Sequence, residues 1–591
     1  MTTEPSSPVT GIRSRWHEVP ADTVSDAMVT AMALAGVERI WFVSGTELAH
    51  FQEATTKARV LGRASPKLMT MTHENAALAA ACGETAVTGK PSVAVFHVDN
   101  GLLNAGAAIH NADRGHYPVL MISGYPPSAE PGSVPGARDS FIQWFQQVPD
   151  QGAIVRQYTR WDHKLASYDN PGLVITRAFQ VALSEPQGPA YLAVPREVAM
   201  TPLGGTVRFP TLSELRPATS PAPDAGELRE AARCLLQAQN PVIIASKAGR
   251  HPTAMACLAE LAETLGAPVM AEPFRLNLPD RHPLYRGTPN GGQLPPKCDC
   301  ALVIDTVVPW MPGKTEPEPD AKIIRIDLDP VERMTPIYDF PCDLAITADS
   351  AKAIPALLEE VRSQMTAEQR RTCEERLARL EQEGRERLAR VREGAYRDAE
   401  SGKVTPRWVS FQMGEVIPPE ARIYHEMTDP SLFNRSLPGT LLGTGGSSIG
   451  WSAPAAVGGK AATPDRPVVA AVGDGAWMFS NPQVVLWASR FHKAPVVFLV
   501  MNNRGYRTGT DTLVQQHPGG YAVKANDFNG GWFDPTPEVA AEAAASGAHG
   551  EKVTDPEEVA PALQRGLEAA EKQGVPAVVE FWLPKLVTGE V

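Results

Sequence analysis

Two short apolar runs near the C-terminus, 467–472 and 495–501, each end abruptly in polar turn residues. Gly473-Asp474-Gly475 follows the first and Asn502-Asn503-Arg504-Gly505 the second. Runs this short, apolar at nearly every position rather than at alternate ones, read as strands buried on both faces. Two such strands in sequence need a long crossover, and the stretch through Arg490 is suited to a helix. The pattern therefore demands a parallel sheet covered by helices. It also sets Asp474 and Asn503 at the same end of two strands, where open α/β sheets bind their ligands.

The same alternation recurs in three blocks. The first, 22–200, has strand-like runs near 39–43, 67–71, 92–96 and 118–123. The second, 225–361, has them at 241–246, 301–305 and 323–327, and the third, 405–591, adds a late run at 577–582. A chain of 591 residues exceeds one hydrophobic core, and roughly three to four domains of about 150 residues are expected. The expected fold class is α/β with three doubly wound parallel-sheet domains. Residues 1–21 read as an N-terminal extension. Residues 201–224, rich in Pro, Ala and Ser toward their end, read as a linker, and 362–404 as a charged linker of one or two solvated helices.

Composition narrows the function. With 43% apolar residues, a net charge of −12 and no block rich in Lys and Arg, the chain reads as a soluble enzyme, and nucleic acid is not an expected partner. No apolar stretch approaches the roughly 18 residues that span a bilayer, so no membrane partner is expected. The first fifteen residues lack a signal-peptide core, and a cytoplasmic location is the expectation. Seven scattered cysteines do not suggest a disulfide framework, and Cys298-Asp-Cys300 has no second Cys or His pair nearby to complete a metal site.

The polar strand ends suit a metal-bridged diphosphate. Asp474 offers a hard carboxylate oxygen, Asn503 a neutral amide oxygen and Gly505 a backbone carbonyl, while Gly473 and Gly475 let the backbone approach phosphate oxygens. Gly-Asp-Gly alone is as well explained by a tight turn; the Asn-Asn pair at one crossover's distance gives the motif its weight. A second segment is independent of the first. After the run 67–71 comes Thr72-His73-Glu74-Asn75 at the head of an Ala-rich helix, then Gly89-Lys90-Pro91, the buried run 92–96 and the Gly-rich loop from His97 to Gly106.

Both segments resemble the large thiamine diphosphate (ThDP) enzyme family that contains acetolactate synthase, benzoylformate decarboxylase and pyruvate decarboxylase. The resemblance covers nearly the whole chain and implies a pyrimidine-binding, a central and a diphosphate-binding domain. It further implies Asp474, Asn503 and the Gly505 carbonyl as ligands of Mg2+. Glu74 becomes the carboxyl that hydrogen-bonds the aminopyrimidine and activates the cofactor. In Gly445-Gly-Ser447-Ser448-Ile449-Gly450, Ile449 falls at the position of the wedge that bends the cofactor, and the Ser447 carbonyl at the position that accepts from its amino group. In this family two subunits build each active site, so a homodimer or homotetramer is implied.

The activity implied is decarboxylation of a small-molecule 2-oxo acid, followed by release of an aldehyde or by carboligation to a second carbonyl. Thr46, in the loop after the first strand, is a candidate contact for the substrate carboxylate. His97 stands where benzoylformate decarboxylase has an active-site histidine and acetolactate synthases have a small residue, so it is a candidate catalytic and substrate-binding group. Trp310, after a central-domain strand, is a candidate pocket residue. The stretch Asp305 to Pro312 lacks the segment expected of flavin-binding relatives, so FAD is not expected. Cleavage of a 2-hydroxyacyl-CoA or C–C hydrolysis is the alternative reading, and a catalytically silent subunit of the same fold is a third.

Overall fold

The apolar runs are strands because they can be buried on both faces: Val93, Ala94, Val95 and Phe96 are wholly inaccessible, and so are Phe498, Leu499 and Val500. The computed structural model describes residues 11–289, 294, 297–426 and 432–585. The chain divides into two compact units. One runs to Thr219 and takes in Gly445–Ala462; the other comprises Ser220–Thr444 and continues from Thr463.

The first unit holds a six-stranded parallel sheet. Across it lie Lys67–Met71, Arg39–Val43, Ser92–Phe96, Val119–Tyr125, Ala190–Pro195 and Trp161–Lys164. In chain order this is second, first, third, fourth, sixth, fifth, with the change of direction between the first and third strands. The second unit holds two more parallel sheets. The central one runs Val269–Ala271, Pro241–Ala245, Cys300–Ile304, Lys322–Asp327, Leu344–Thr347. The last runs Leu441–Gly443, Arg422–His425, Val468–Gly473, Val497–Asn502, Ala577–Trp582, His549–Val553, repeating the strand order of the first. Three doubly wound parallel sheets are therefore present, as the alternation of runs predicts.

Two linkers are more structured than composition suggests. His17–Thr23 pairs antiparallel with Pro202–Phe209, so parts of the expected extension and linker form a ribbon on the first unit. The charged segment is one continuous helix, Ala367–Glu400, and it is not solvated all round. Arg376, 8% exposed, reaches the carbonyls of Ala238, Gln239 and Gly266 at 3.0, 2.8 and 3.0 Å. A guanidinium with several donors can pin a helix in this way without a carboxylate partner.

The helix expected from Glu74 is Glu74–Thr88, ended by Gly89 in the left-handed region at φ 65°. It lies against Ser452–Ala462 of the same unit. Cβ atoms built on Gly83 and Gly458 would overlap the carbonyls of Ala455 and Ala80, so two glycines set this close approach.

Candidate active site

Each unit carries a cluster at the C-terminal edge of a sheet. In the first unit, Glu74 follows the second strand and opens its helix, 8% exposed. Asn104 Nδ2 donates to Glu74 Oε2 at 3.1 Å. Asn104 ends the short helix Val98–Asn104, and His97 stands at the head of that helix. One helix thus links the two residues that the sequence singles out. Gly101, midway along it, leaves room for Glu74: a Cβ there would lie 2.9 Å from Phe96 Cβ and 3.3 Å from Glu74 Oε1.

His97 is not bonded to Asp99 or to a neighbouring backbone group through its Nε2. Its Nε2 lies 2.6 Å from Oε2 of Glu47, a residue that sequence reading passed over in favour of Thr46. Glu47 is inaccessible to solvent, yet its side chain is well served. Thr46 Oγ1 donates to Oε2 at 2.5 Å and Gln143 Nε2 to Oε1 at 3.2 Å. Burial pushes the Glu47 carboxyl up, but hydrogen bonds from His97, Thr46 and Gln143, together with the charge of His97, outweigh it and bring it down to about 2. Thr46 itself is exposed and lies 3.5 Å from His97 Nε2. Gly45 makes the arrangement possible, because a Cβ there would run into the His97 ring.

The same unit holds Ser447 to Ile449. The Asn111 carboxamide clamps this segment at Ser448, donating to its carbonyl at 2.8 Å and accepting from its N–H at 3.2 Å. Asn111 is 1% exposed, so the clamp is rigid. Ser447 is exposed, and Ile449 is 39% exposed rather than part of a core. A bulky aliphatic side chain held in the open by a fixed backbone can support a ligand.

In the second unit, the third and fourth strands of the last sheet, Val468–Gly473 and Val497–Asn502, are neighbours in register, and Asp474 and Asn503 follow them directly. Asp474 is 3% exposed. Its Oδ2 accepts from the N–H groups of Arg504 at 2.7 Å and Gly505 at 3.1 Å, and its Oδ1 from Gly475 N–H at 2.9 Å. Burial raises the Asp474 carboxyl, and these three backbone donors pull it part of the way back. A buried carboxylate held by backbone N–H groups, beside a half-buried Asn503, fits a divalent cation. Asn502 is tied down instead, donating to Glu580 Oε1 at 2.6 Å. Space for a phosphate is also present: a Cβ on Gly473 would meet nothing within 4 Å. At Gly505 the reverse holds, since a Cβ would collide with Gly531 O.

Trp310 belongs elsewhere. It is 2% exposed, packed with Val242, Ile244, Met270 and Val303, its ring 5.5 Å edge-on to Phe340. The strand it follows ends at Ile304, and the intervening loop turns it back into the core of the central sheet instead of toward a pocket. Trp477 is likewise buried, 5.3 Å from Phe498. Among the described residues no helix is long and apolar enough to cross a membrane.

Comparison with known proteins agrees with this geometry. Residues 22–154 match the thiamine pyrophosphate enzyme N-terminal TPP binding domain, 228–357 its central domain and 425–581 its C-terminal TPP binding domain. Benzoylformate decarboxylase of Pseudomonas aeruginosa is 26% identical over 73% of this chain and 78% of its own length. An acetolactate synthase large subunit of Mycobacterium tuberculosis is 27% identical over 95% of this chain and 96% of its own. Among solved structures, the thiamine diphosphate-dependent 4-hydroxybenzoylformate decarboxylase of Rhodococcus jostii superposes with a TM-score of 0.75 at 21% identity, covering 95% of this chain and 99% of the other. With all three domains matched in order, the chain belongs to the thiamine pyrophosphate enzyme family and is related to benzoylformate decarboxylase and acetolactate synthase.

Proposed function

We propose that this protein is a ThDP- and Mg2+-dependent decarboxylase of a 2-oxo acid that protonates the product carbon and releases an aldehyde. The single observation that carries the reading is the buried Glu47 carboxylate hydrogen-bonded to His97 on the same unit as Glu74. A histidine so held suits protonation of the carbon that carbon dioxide leaves, a step that carboligation replaces by bond formation to the second carbonyl. Ligation to a second carbonyl is the competing fate.

ThDP, when bound, supplies a nucleophilic carbon that adds to the ketone and an electron sink for the pair left by carbon dioxide. Asp474, Asn503 and the Gly505 carbonyl would hold the metal, and Gly473 and Gly475 would admit the diphosphate. Glu74 would share a proton with the pyrimidine ring nitrogen, Asn104 fixing its carboxyl. The Ser447 carbonyl would accept from the amino group, and Ile449 would support the bent cofactor. Thr46, exposed beside His97, would meet the substrate carboxylate. Two copies of the chain form the smallest active assembly in this proposal, and FAD has no part in it.

The test is carbon dioxide release by the purified chain with ThDP and Mg2+ across aliphatic and aromatic 2-oxo acids, with and without an added aldehyde. The reading predicts release with stoichiometric aldehyde from at least one acid. A ligated hydroxyketone as sole product would move the assignment to a carboligase. Absence of release, with cofactor bound, would move it to acyl-CoA or diketone cleavage.

A further inference from the structure

Glu47, like Gln143 beside it, is a residue of this cluster that no expectation included. Its carboxylate cannot itself meet a substrate, because it is inaccessible and both oxygens are engaged, Oε2 by His97 and Thr46 and Oε1 by Gln143. Its position follows from the sheet. The first strand, Arg39–Val43, delivers the Gly45-Thr46-Glu47 turn, and the third, Ser92–Phe96, delivers His97. These two strands are neighbours and flank the point where the sheet changes direction, the usual ligand crevice of such folds. The His97 side chain remains 22% exposed while Glu47 is sealed beneath it.

We propose that Glu47 is a positioning residue for the decarboxylation reading above: it takes the Nε2 proton of His97 in a hydrogen bond, fixes that tautomer, and leaves Nδ1 as the nitrogen that exchanges a proton with substrate. The inference rests on that reading for the reaction, and on the 2.6 Å contact alone for the tautomer. When carbon dioxide leaves, the electrons of the broken C–C bond remain on the former carbonyl carbon. The Nδ1–H of a cationic His97 then forms the new C–H bond, and the ring becomes neutral with Nε2–H still donated to Glu47. The former ketone oxygen takes up one proton from solvent as it becomes a hydroxyl, and release of the aldehyde returns that proton to the ring and restores the cation, so each turnover consumes one proton. The carboxylate thus faces the charged state of the ring at each turnover, in a site where water does not screen it. Gln143, which also donates to Asp139 Oδ1 at 3.1 Å, holds the second Glu47 oxygen and keeps the carboxylate plane fixed.

The experiment uses the full chain with ThDP and Mg2+ and the 2-oxo acid giving the most carbon dioxide. It compares Glu47→Gln, Glu47→Asp, His97→Ala and the Glu47→Gln/His97→Ala double variant. Removing the charge should lower kcat by about 10- to 100-fold with KM changed less than about threefold, and Glu47→Asp should recover part of the loss. In the His97→Ala background Glu47→Gln should cost less than about twofold, because Glu47 acts through the ring. An undiminished cost in that background overturns the proposal. Loss of cofactor C2–H exchange in Glu47→Gln, which would mark general damage to the site, overturns it as well.

Should the wild-type chain decarboxylate none of the acids, the decarboxylation reading fails, and nitrogen-15 spectra of the holoprotein still decide the role of Glu47. In spectra taken at a pH high enough to leave the ring neutral, wild-type His97 should keep its proton at Nε2, while Glu47→Gln, whose amide donates as well as accepts, should show both tautomers. Identical spectra would overturn the proposal.

Discussion

The first and last sheets share one strand order and place polar residues at the same edge, but they fill it with opposite inventories. The first sheet gathers groups that titrate: Glu47 and His97 across the change of direction, and Glu74 after the second strand. At the last sheet stand the Asp474 carboxylate, held by three N–H groups, the Asn503 amide and the Gly505 backbone carbonyl, while the buried Glu580 carboxylate is taken up by Asn502. The topology dictates where a ligand meets the sheet, and a few loop residues decide whether that edge moves protons or holds an anion with its metal. The central sheet makes a third case. There Asp305, the residue directly after the strand Cys300–Ile304, accepts from Ser350 Oγ at 2.6 Å, and the loop beyond it buries Trp310.

The largest effect expected from this division is on cofactor activation. Glu74→Gln should slow C2–H/D exchange of bound ThDP by about 100- to 10,000-fold, measured by proton NMR of quenched samples, with ThDP affinity within about tenfold of wild type.

A second consequence concerns stability in acid. His50 lies one turn beyond Glu47, 8% exposed, with Nδ1 2.9 Å from Ser25 Oγ. Burial lowers its imidazole from 6.5 to about 4, so the native ring is neutral. As pH falls, the unfolded chain takes up the proton first. Stability is therefore unaffected above about 6.5, falls between about 6.5 and 4, and levels off below, for a loss of up to about 3 kcal/mol. The difference in urea midpoint between wild type and His50→Asn as a function of pH isolates this contribution, and a flat difference would break the contrast with the last sheet.

Smaller effects should come from the anchoring side. Asp474→Ala should weaken Mg2+-dependent ThDP binding by about 10- to 100-fold in calorimetric titrations, since a cation loses its charged ligand but keeps neutral ones. Ile449→Ala should reduce C2–H exchange by about three- to tenfold at saturating ThDP, through loss of the side chain that supports the cofactor rather than of any proton carrier.

Much of this was legible in the chain itself, for definite reasons. The runs 467–472 and 495–501 became adjacent strands because a parallel crossover leaves few other arrangements, and Asp474 and Asn503 followed from that. The helix after Asp474 was harder to delimit. It stops at Phe479, and Asn481, at φ 57°, with Pro482 restarts it as Pro482–Phe491. Glu47 is hidden because an acidic residue in a loop looks solvated until the fold closes over it, and Gln143 reaches it from the short helix Ile142–Phe145, which no local pattern connects to it. The ribbon of His17–Thr23 with Pro202–Phe209 escapes sequence reading because both strands are largely exposed, and Pro20 in one and Gly204-Gly205 in the other interrupt the strand pattern. Position alone suggests a pocket for Trp310, but a residue after a strand can line a crevice or fold back beneath it, and here the packing buries it.

The division of labour between the two sheets is tested most directly by C2–H/D exchange of ThDP at saturating cofactor and Mg2+ in Glu74→Gln and Asp474→Ala side by side. At saturation Asp474→Ala should return to within about tenfold of wild type, because only its grip is impaired, whereas Glu74→Gln should remain about 100-fold or more below it. Recovery of Glu74→Gln, or an equal and unrecoverable loss in both variants, would contradict the account.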